Sequence, residues 1–185
     1  MELVVPSREH LASYSDALRS GWSPNTMRAE RAQEDLDDID KDPDGFLAGM
    51  EDRVGGGRRI TLPDGSTKPR LPNITRWMWA NNAFVGNIGL RWQPGSNELP
   101  PTVLGHIGYT VVEHARGRGY ATKALHDILP LAPEVGLTWV DLTTDPDNYA
   151  SQRVITANGG QFIEEFPKPP EYGEGLIMLF RIYLA

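Results

Sequence analysis

The feature that most restricts this chain is the hexapeptide Arg116-Gly117-Arg118-Gly119-Tyr120-Ala121, set between a strand-like run and a helix-like one. Upstream, Val103 to Val112 alternates: Ile107, Tyr109 and Val111 fall on one side and His106, Gly108 and Thr110 on the other, the period of a β-strand. Downstream, Gly119 to about Ala132 spaces Ala121, Ala124, Leu125, Ile128 and Leu129 along one helical stripe, with Pro130 or Pro133 bending or ending it. Two glycines between such elements let the backbone turn tightly and approach a ligand without a Cβ in the way. The following helix offers unbonded N–H groups and the positive end of its dipole, a setting for phosphate, and Arg116 and Arg118 add mobile positive charge. A dinucleotide fingerprint would need a small residue where Thr122 stands, and the run Gly55-Gly56-Gly57 lacks the Gly-Lys-Ser/Thr ending of a phosphate loop.

The remaining elements read around this centre. Leu3 to Val5 predicts a short strand, and Leu11, Tyr14 and Leu18 a helix closed by Gly21. A second, highly charged helix is expected from Met27 to about Ile39. From Asp42 to Pro72 the texture is turn-rich, with Asp42-Pro43-Asp44-Gly45 a turn and Pro63-Asp64-Gly65 a hairpin tip. Ile74 to Ala80 and Ala83 to Trp92 read as a β-hairpin joined at Asn81-Asn82. Leu137 to Thr143 is a strand, Asn148 to Asn158 a helix stopped by Gly159-Gly160, and Phe162 to Phe166 and Leu176 to Tyr183 are the final strands. The fold class is therefore α/β or α+β with a mixed sheet. Trp22, Trp77, Trp79 and Trp92 are candidates either for the core or for lining a cleft.

Composition narrows the chemistry. The 185 residues fit a single domain, 1–185, with the turn-rich elaboration at about 42–72. No cysteine is present, so disulfides, thiolate metal sites and an acyl-cysteine intermediate are excluded. The net charge of -7 argues against a nucleic-acid groove, and the absence of a 20-residue apolar run argues against a membrane span. The first residues lack a basic segment followed by an apolar one, which predicts no secretory signal and a cytoplasmic location. Acidic residues rimming an acceptor cleft would suit a cationic amine.

Arg116-x-x-Gly119-x-Ala121 after a strand and before a helix resembles the acyl-CoA-binding signature of the GNAT superfamily of N-acetyltransferases, in a bacterial branch of that superfamily. The similarity extends through Gly105-His106-Ile107-Gly108-Tyr109-Thr110-Val111, Asp147-Asn148-Tyr149-Ala150-Ser151-Gln152-Arg153 and Asn158-Gly159-Gly160. It implies a GNAT fold, acetyl-CoA as acyl donor, no metal, and transfer to a primary amine of a small molecule or peptide by direct attack in a ternary complex. It implies that backbone N–H groups of Arg116, Gly117, Arg118, Gly119, Tyr120 and Ala121 cradle the pyrophosphate. Val111 and Val112 would pair with the pantetheine arm, one N–H polarising the thioester carbonyl, while Asn148 and Ser151 contact the cofactor arm. His106 is the first candidate general base, with Glu113 and Asp141, acting through water, as alternatives. The family often places a thiolate-protonating tyrosine where this chain has Ile155, which keeps open a second reading as a non-catalytic acyl-CoA-binding sensor or regulatory module. A homodimer is the expected assembly, since soluble enzymes commonly pair.

Overall fold

The computed structural model describes residues 1–26, 28–55, 59–61 and 67–184. The chain opens with β1 (Glu2–Val4), a 3-10 turn at Arg8–His10, α1 (Leu11–Arg19), α2 (Arg31–Lys41), α3 (Pro43–Ala48) and β2 (Glu51–Asp52). Next come β3 (Arg59–Thr61), β4 (Thr67–Pro69), β5 (Asn73–Ala80), β6 (Ala83–Arg91) and β7 (Ile107–Val111). The last part runs α4 (Tyr120–Ile128), α5 (Leu131–Glu134), β8 (Trp139–Thr144), α6 (Tyr149–Ala157), β9 (Gln161–Pro167) and β10 (Leu176–Tyr183).

Two antiparallel sheets dominate. One has the order β1-β5-β6-β7, with β2 also on β5, and the other has the order β8-β10-β9. The β5–β6 hairpin turns at Asn81 and Asn82, both left-handed at φ 53° and 59°, the conformation that asparagine tolerates better than most residues. α4 packs on β6 and β7, and α6 packs on α4 and β8. Ala124, Leu125 and Ile128 of α4 and Ile155 of α6 are buried in one core with Ile88, Leu90, Ile107, Val140 and Leu142.

On the opposite face of the first sheet, α1 lays Tyr14 flat on Trp77, with centroids 4.3 Å apart, and Phe84 and Trp22 meet Tyr14 edge-on. Trp77 and Trp92 are fully interior and Trp22 and Trp79 pack against the same core, so the tryptophans build the interior. Such rings contribute about 0.5–1.5 kcal/mol per pair beyond the area they bury.

Several expected boundaries move, most of them for a local reason. Asp42-Pro43-Asp44-Gly45 opens α3 instead of a loop turn: Pro43 starts the helix and the Asp42 carboxylate accepts the Gly45 N–H at 3.0 Å. α2 begins at Arg31, and Met27 lies outside the described residues. Of the two prolines expected to bend or end the helix from Gly119, Pro130 is the one at which it divides, into α4 and α5. β7 begins at Ile107 because Gly105 and His106 are drawn toward β8. The hairpin tip at Pro63-Asp64-Gly65 lies outside the described residues, although the flanking β3 and β4 are antiparallel partners.

Candidate active site

The two sheets meet at one point and part from there. At His106 the backbone changes partners: its carbonyl accepts the Arg91 N–H of β6 at 2.8 Å, while its own N–H donates to the Asp141 carbonyl of β8 at 2.7 Å. The ring closes the junction, Nδ1 accepting the Asp141 N–H at 2.9 Å. Gly105 permits this approach, since a Cβ there would stand 2.9 Å from the Asp141 carbonyl oxygen. Beyond His106 no described pairing joins β7 to β8.

In an antiparallel ladder the residues of a strand alternate between bonding the neighbour and facing away. Val112 donates its N–H to Val85 at 3.1 Å and is buried, so residues 108, 110 and 112 bond toward β6. Tyr109 and Val111 then turn their N–H groups to the free edge facing β8. Of the two valines expected at this edge, Val111 occupies it and Val112 is turned inward with its N–H committed.

The free edge ends at the glycine-arginine loop. Arg116, Gly117, Arg118 and Gly119 are exposed, and Arg116 Nε donates to the Val111 carbonyl at 3.2 Å. Gly119 caps α4 in a left-handed conformation, φ 76°, with no side chain bonded to the helix end. The first helical bond is Lys123 N–H to Gly119 O at 3.0 Å. Among the described residues the N–H groups of Gly117 to Thr122 have no acceptor, the unsatisfied set that makes a helix N-terminus receptive to an anion.

α6 borders the other side of this gap. Asn148 is exposed and caps α6, its Oδ1 accepting the Ser151 N–H at 3.0 Å, which leaves the amide NH2 for a ligand. Ser151 Oγ hydrogen-bonds Tyr109 Oη at 2.8 Å, a link between β7 and α6. Burial pushes the Tyr109 hydroxyl up to about 12, so it keeps its proton at ordinary pH. The alternation put Tyr109 on one side of the strand with Ile107 and Val111 but gave no sign of its partner 42 residues away. Ile155, at the position where the resemblance implies a tyrosine, is fully buried.

The three candidate bases are separated. His106 is 1% exposed. Burial, reinforced by Arg91 and Arg181 against the pull of Asp141, holds its pKa below the ordinary 6.5. With Nδ1 accepting a backbone N–H, the neutral ring carries its proton on Nε2, which is sealed from solvent without a full hydrogen bond. No lone pair is presented to an incoming amine. Asp141 is spent on Arg181, two parallel hydrogen bonds at 2.7 and 2.8 Å. Glu113 is exposed in a 3-10 turn after β7, beside the loop end of the gap.

The face of β7 turned away from α4 is an open strip. Gly108 and Arg91 are exposed, and Thr110 Oγ1 donates to Asn87 Oδ1 at 2.9 Å. Over this side the β9–β10 connection is tied down at two points, Lys168 Nζ to Asp145 at 2.7 Å and the Tyr172 hydroxyl to the Thr102 carbonyl at 2.7 Å. Among the described residues no group of three or more His, Asp or Glu side chains is arranged to hold a metal ion, and no helix is long and apolar enough to cross a membrane.

A model of the acetyltransferase (GNAT) domain matches residues 6–161. The microcin C7 self-immunity acetyltransferase MccE, solved with acetyl-CoA and AMP, shares the fold with a TM-score of 0.64 at 9% identity, over 98% of this chain and 91% of its own. RimL, a ribosomal L7/L12 alpha-N-protein acetyltransferase solved with coenzyme A, gives 0.61 at 12% identity, over 98% and 93%. The ribosomal-protein-alanine N-acetyltransferase of Brucella melitensis gives 0.53 at 14%, over the whole of both chains. No curated protein sequence matches the chain.

Proposed function

The chain belongs to the GNAT acetyltransferase family, and from that premise we propose that it transfers the acetyl group of acetyl-CoA to a primary amine of a small molecule or peptide, by direct attack in a ternary complex. The observation that carries this reading is the parting of β7 from β8: a free strand edge at Tyr109 and Val111 leads straight to the uncapped N-terminus of α4.

Each part of the donor has a counterpart. The N–H groups from Gly117 to Ala121, with the Arg116 and Arg118 side chains beside them, meet the pyrophosphate. The free edge at Val111 takes the pantetheine amides as an added strand would, with the Asn148 amide as a further donor. An edge N–H of Tyr109 or Val111 donates to the thioester oxygen as it becomes an oxyanion; one such donor is worth about 10²–10³ in rate.

The amine nitrogen forms its bond to the carbonyl carbon, the carbon–sulfur bond breaks, and the thiolate takes a proton. The Tyr109–Ser151 hydroxyl pair supplies that proton from between β7 and α6. With His106 sealed, Asp141 paired and Glu113 at the other end, the ammonium proton leaves through water on the open strip.

Calorimetry with acetyl-CoA and thiol release with a panel of amines test the reading together. Gly119→Val adds branched bulk at a left-handed position where, beyond the two chain neighbours, no atom of the described residues lies within 4 Å of the new Cβ. It should cost only about 1–2 kcal/mol of backbone strain, yet lower acetyl-CoA affinity at least tenfold. Unchanged affinity refutes the loop assignment, and tight binding without turnover on any amine favours the sensor module, to which Ile155 also points.

A further inference from the structure

Arg91 ends β6 with its guanidinium laid over β7, since a Cβ on Gly108 would stand 3.2 Å from Nη2. Gly108 is paired in register with Gly89, so the middle of the open strip has a floor of two residues without side chains. Arg91 projects across that floor. It is exposed to water, yet the surrounding protein lowers its pKa from the ordinary value.

Among the described residues this cation has no hydrogen-bonded or ion-paired side-chain partner. The other guanidinium on this side, Arg181, is held by Asp141 and lies over the Trp139 ring at 4.5 Å. Among the described residues nothing hydrogen-bonds or ion-pairs the Arg91 side chain; the Tyr172 hydroxyl, itself donating to Thr102, is the group that acts on it electrostatically. A guanidinium is a planar fork matched to a carboxylate, and hydrogen bonds from it are among the strongest that a site can offer.

We infer that Arg91 selects the acceptor, reading a carboxylate that the amine-bearing molecule carries. This rests on the acetyl-transfer reading above. Gly108 lies one to three residues from the edge at Tyr109 and Val111 where the thioester is placed, a separation of roughly 3–10 Å at strand rise. That range spans the distance between amine and carboxylate in an amino acid or a dipeptide. The phosphates of the donor are met at the opposite end of β7, so the Arg91 charge is not needed for them.

The test compares dipeptides with their carboxamides, whose α-amines are nearly equal in basicity, as acceptors, for the wild type and Arg91→Gln, with thiol release as the readout. Expected is a preference of at least tenfold in kcat/KM for the carboxylates, falling to near one in Arg91→Gln through a higher KM for the acceptor, while acetyl-CoA affinity by calorimetry stays within twofold. Equal use of carboxylate and carboxamide by the wild type overturns the inference, and so does a preference that survives in Arg91→Gln. If the wild type holds acetyl-CoA but acetylates nothing, the transfer reading fails. The comparison is then made by titrating N-acetyl amino acids and their carboxamides into the enzyme–coenzyme A complex. Carboxylate preference that depends on Arg91 sustains the inference there, and its absence overturns it.

Discussion

Replacing His106 by leucine separates the packing of this side chain from its hydrogen bond. Leucine keeps a similar volume at the junction of the two sheets, so little cavity is opened. The Asp141 N–H, which donates to Nδ1 at 2.9 Å, loses its acceptor. A buried donor left unpaired costs about 1–3 kcal/mol, and each kcal/mol lowers Tm by roughly 2–4 °C in a chain of this size. A second signature comes from pH. Burial holds the folded pKa of His106 below 6.5, so the folded state binds the proton less readily than the unfolded chain does. As pH falls below that value the unfolded chain takes up its proton first. The wild type then loses up to about 1.4 kcal/mol per pH unit until the lower folded pKa is reached. His106→Leu lacks that loss. The stability gap between the two proteins is therefore full above the unfolded pKa and narrows by up to about 1.4 kcal/mol one unit below it. Urea denaturation on both sides of the unfolded value measures it. A gap independent of pH refutes the argument, as does a variant of unaltered stability whose pH–rate profile shifts; the latter would return His106 to the role of base.

Tyr109→Phe removes one hydroxyl of the pair proposed to meet the departing thiolate. Because a thiolate needs its proton less than an amine would, kcat should fall by only about tenfold, below the usual range for a general acid, with the KM for acetyl-CoA changed less than twofold; an unchanged kcat sinks the assignment. Tyr14→Phe takes away the O–H that donates at 2.6 Å to Asp35, a carboxyl 2% exposed whose pKa burial raises. The loss should be about 1.5–3 kcal/mol by thermal denaturation, and an effect near zero would mean that Arg31 alone satisfies the carboxylate.

Local grammar made much of the fold readable and little of the site. The Asn81-Asn82 hairpin, the Gly119 helix start and the Asn148 cap are each decided by the backbone preferences of one or two residues, and the structure has all three. Asp42 shows the same grammar misread: Asp-Pro-Asp-Gly serves a turn or a helix start equally well, and Phe46, buried against the core, selects the helix. The site depends instead on which strand stands beside which. Strand period put His106 and Gly108 on one side, but only the meeting of His106 with Asp141, 35 residues on, decides that the imidazole bonds a backbone N–H. The same junction decides that Val111 faces an open edge while Val112 is turned inward. Arg91 was silent because a lone arginine at a strand end usually meets only water; the glycines at 89 and 108 give it a place in the molecule, and they are distant in sequence.

Among the described residues none of the three candidate bases faces the open strip with a free lone pair, which restricts the acceptor further. If water alone carries the ammonium proton away, the enzyme acts on whatever fraction of the amine is already neutral. A lysine-type amine, with a pKa near 10.4, is neutral in only about 1 molecule in 2,500 at neutral pH, whereas the α-amine of a peptide, near 7.8, is neutral in about 1 in 7. The difference is roughly 350-fold before any contact with the protein. Greater intrinsic nucleophilicity of the more basic amine recovers part of it and leaves the α-amine ahead. The expected result is that kcat/KM for α-amines rises tenfold per pH unit and levels near pH 8, following the titration of the acceptor, with ε-amines at least tenfold poorer at neutral pH. A profile that levels near pH 6.5 for every acceptor would instead require an imidazole, and His106 is the histidine at the junction of the two sheets. A peptide α-amine on a molecule that also carries a carboxylate is the acceptor inferred from Arg91 and the two-glycine floor beneath it.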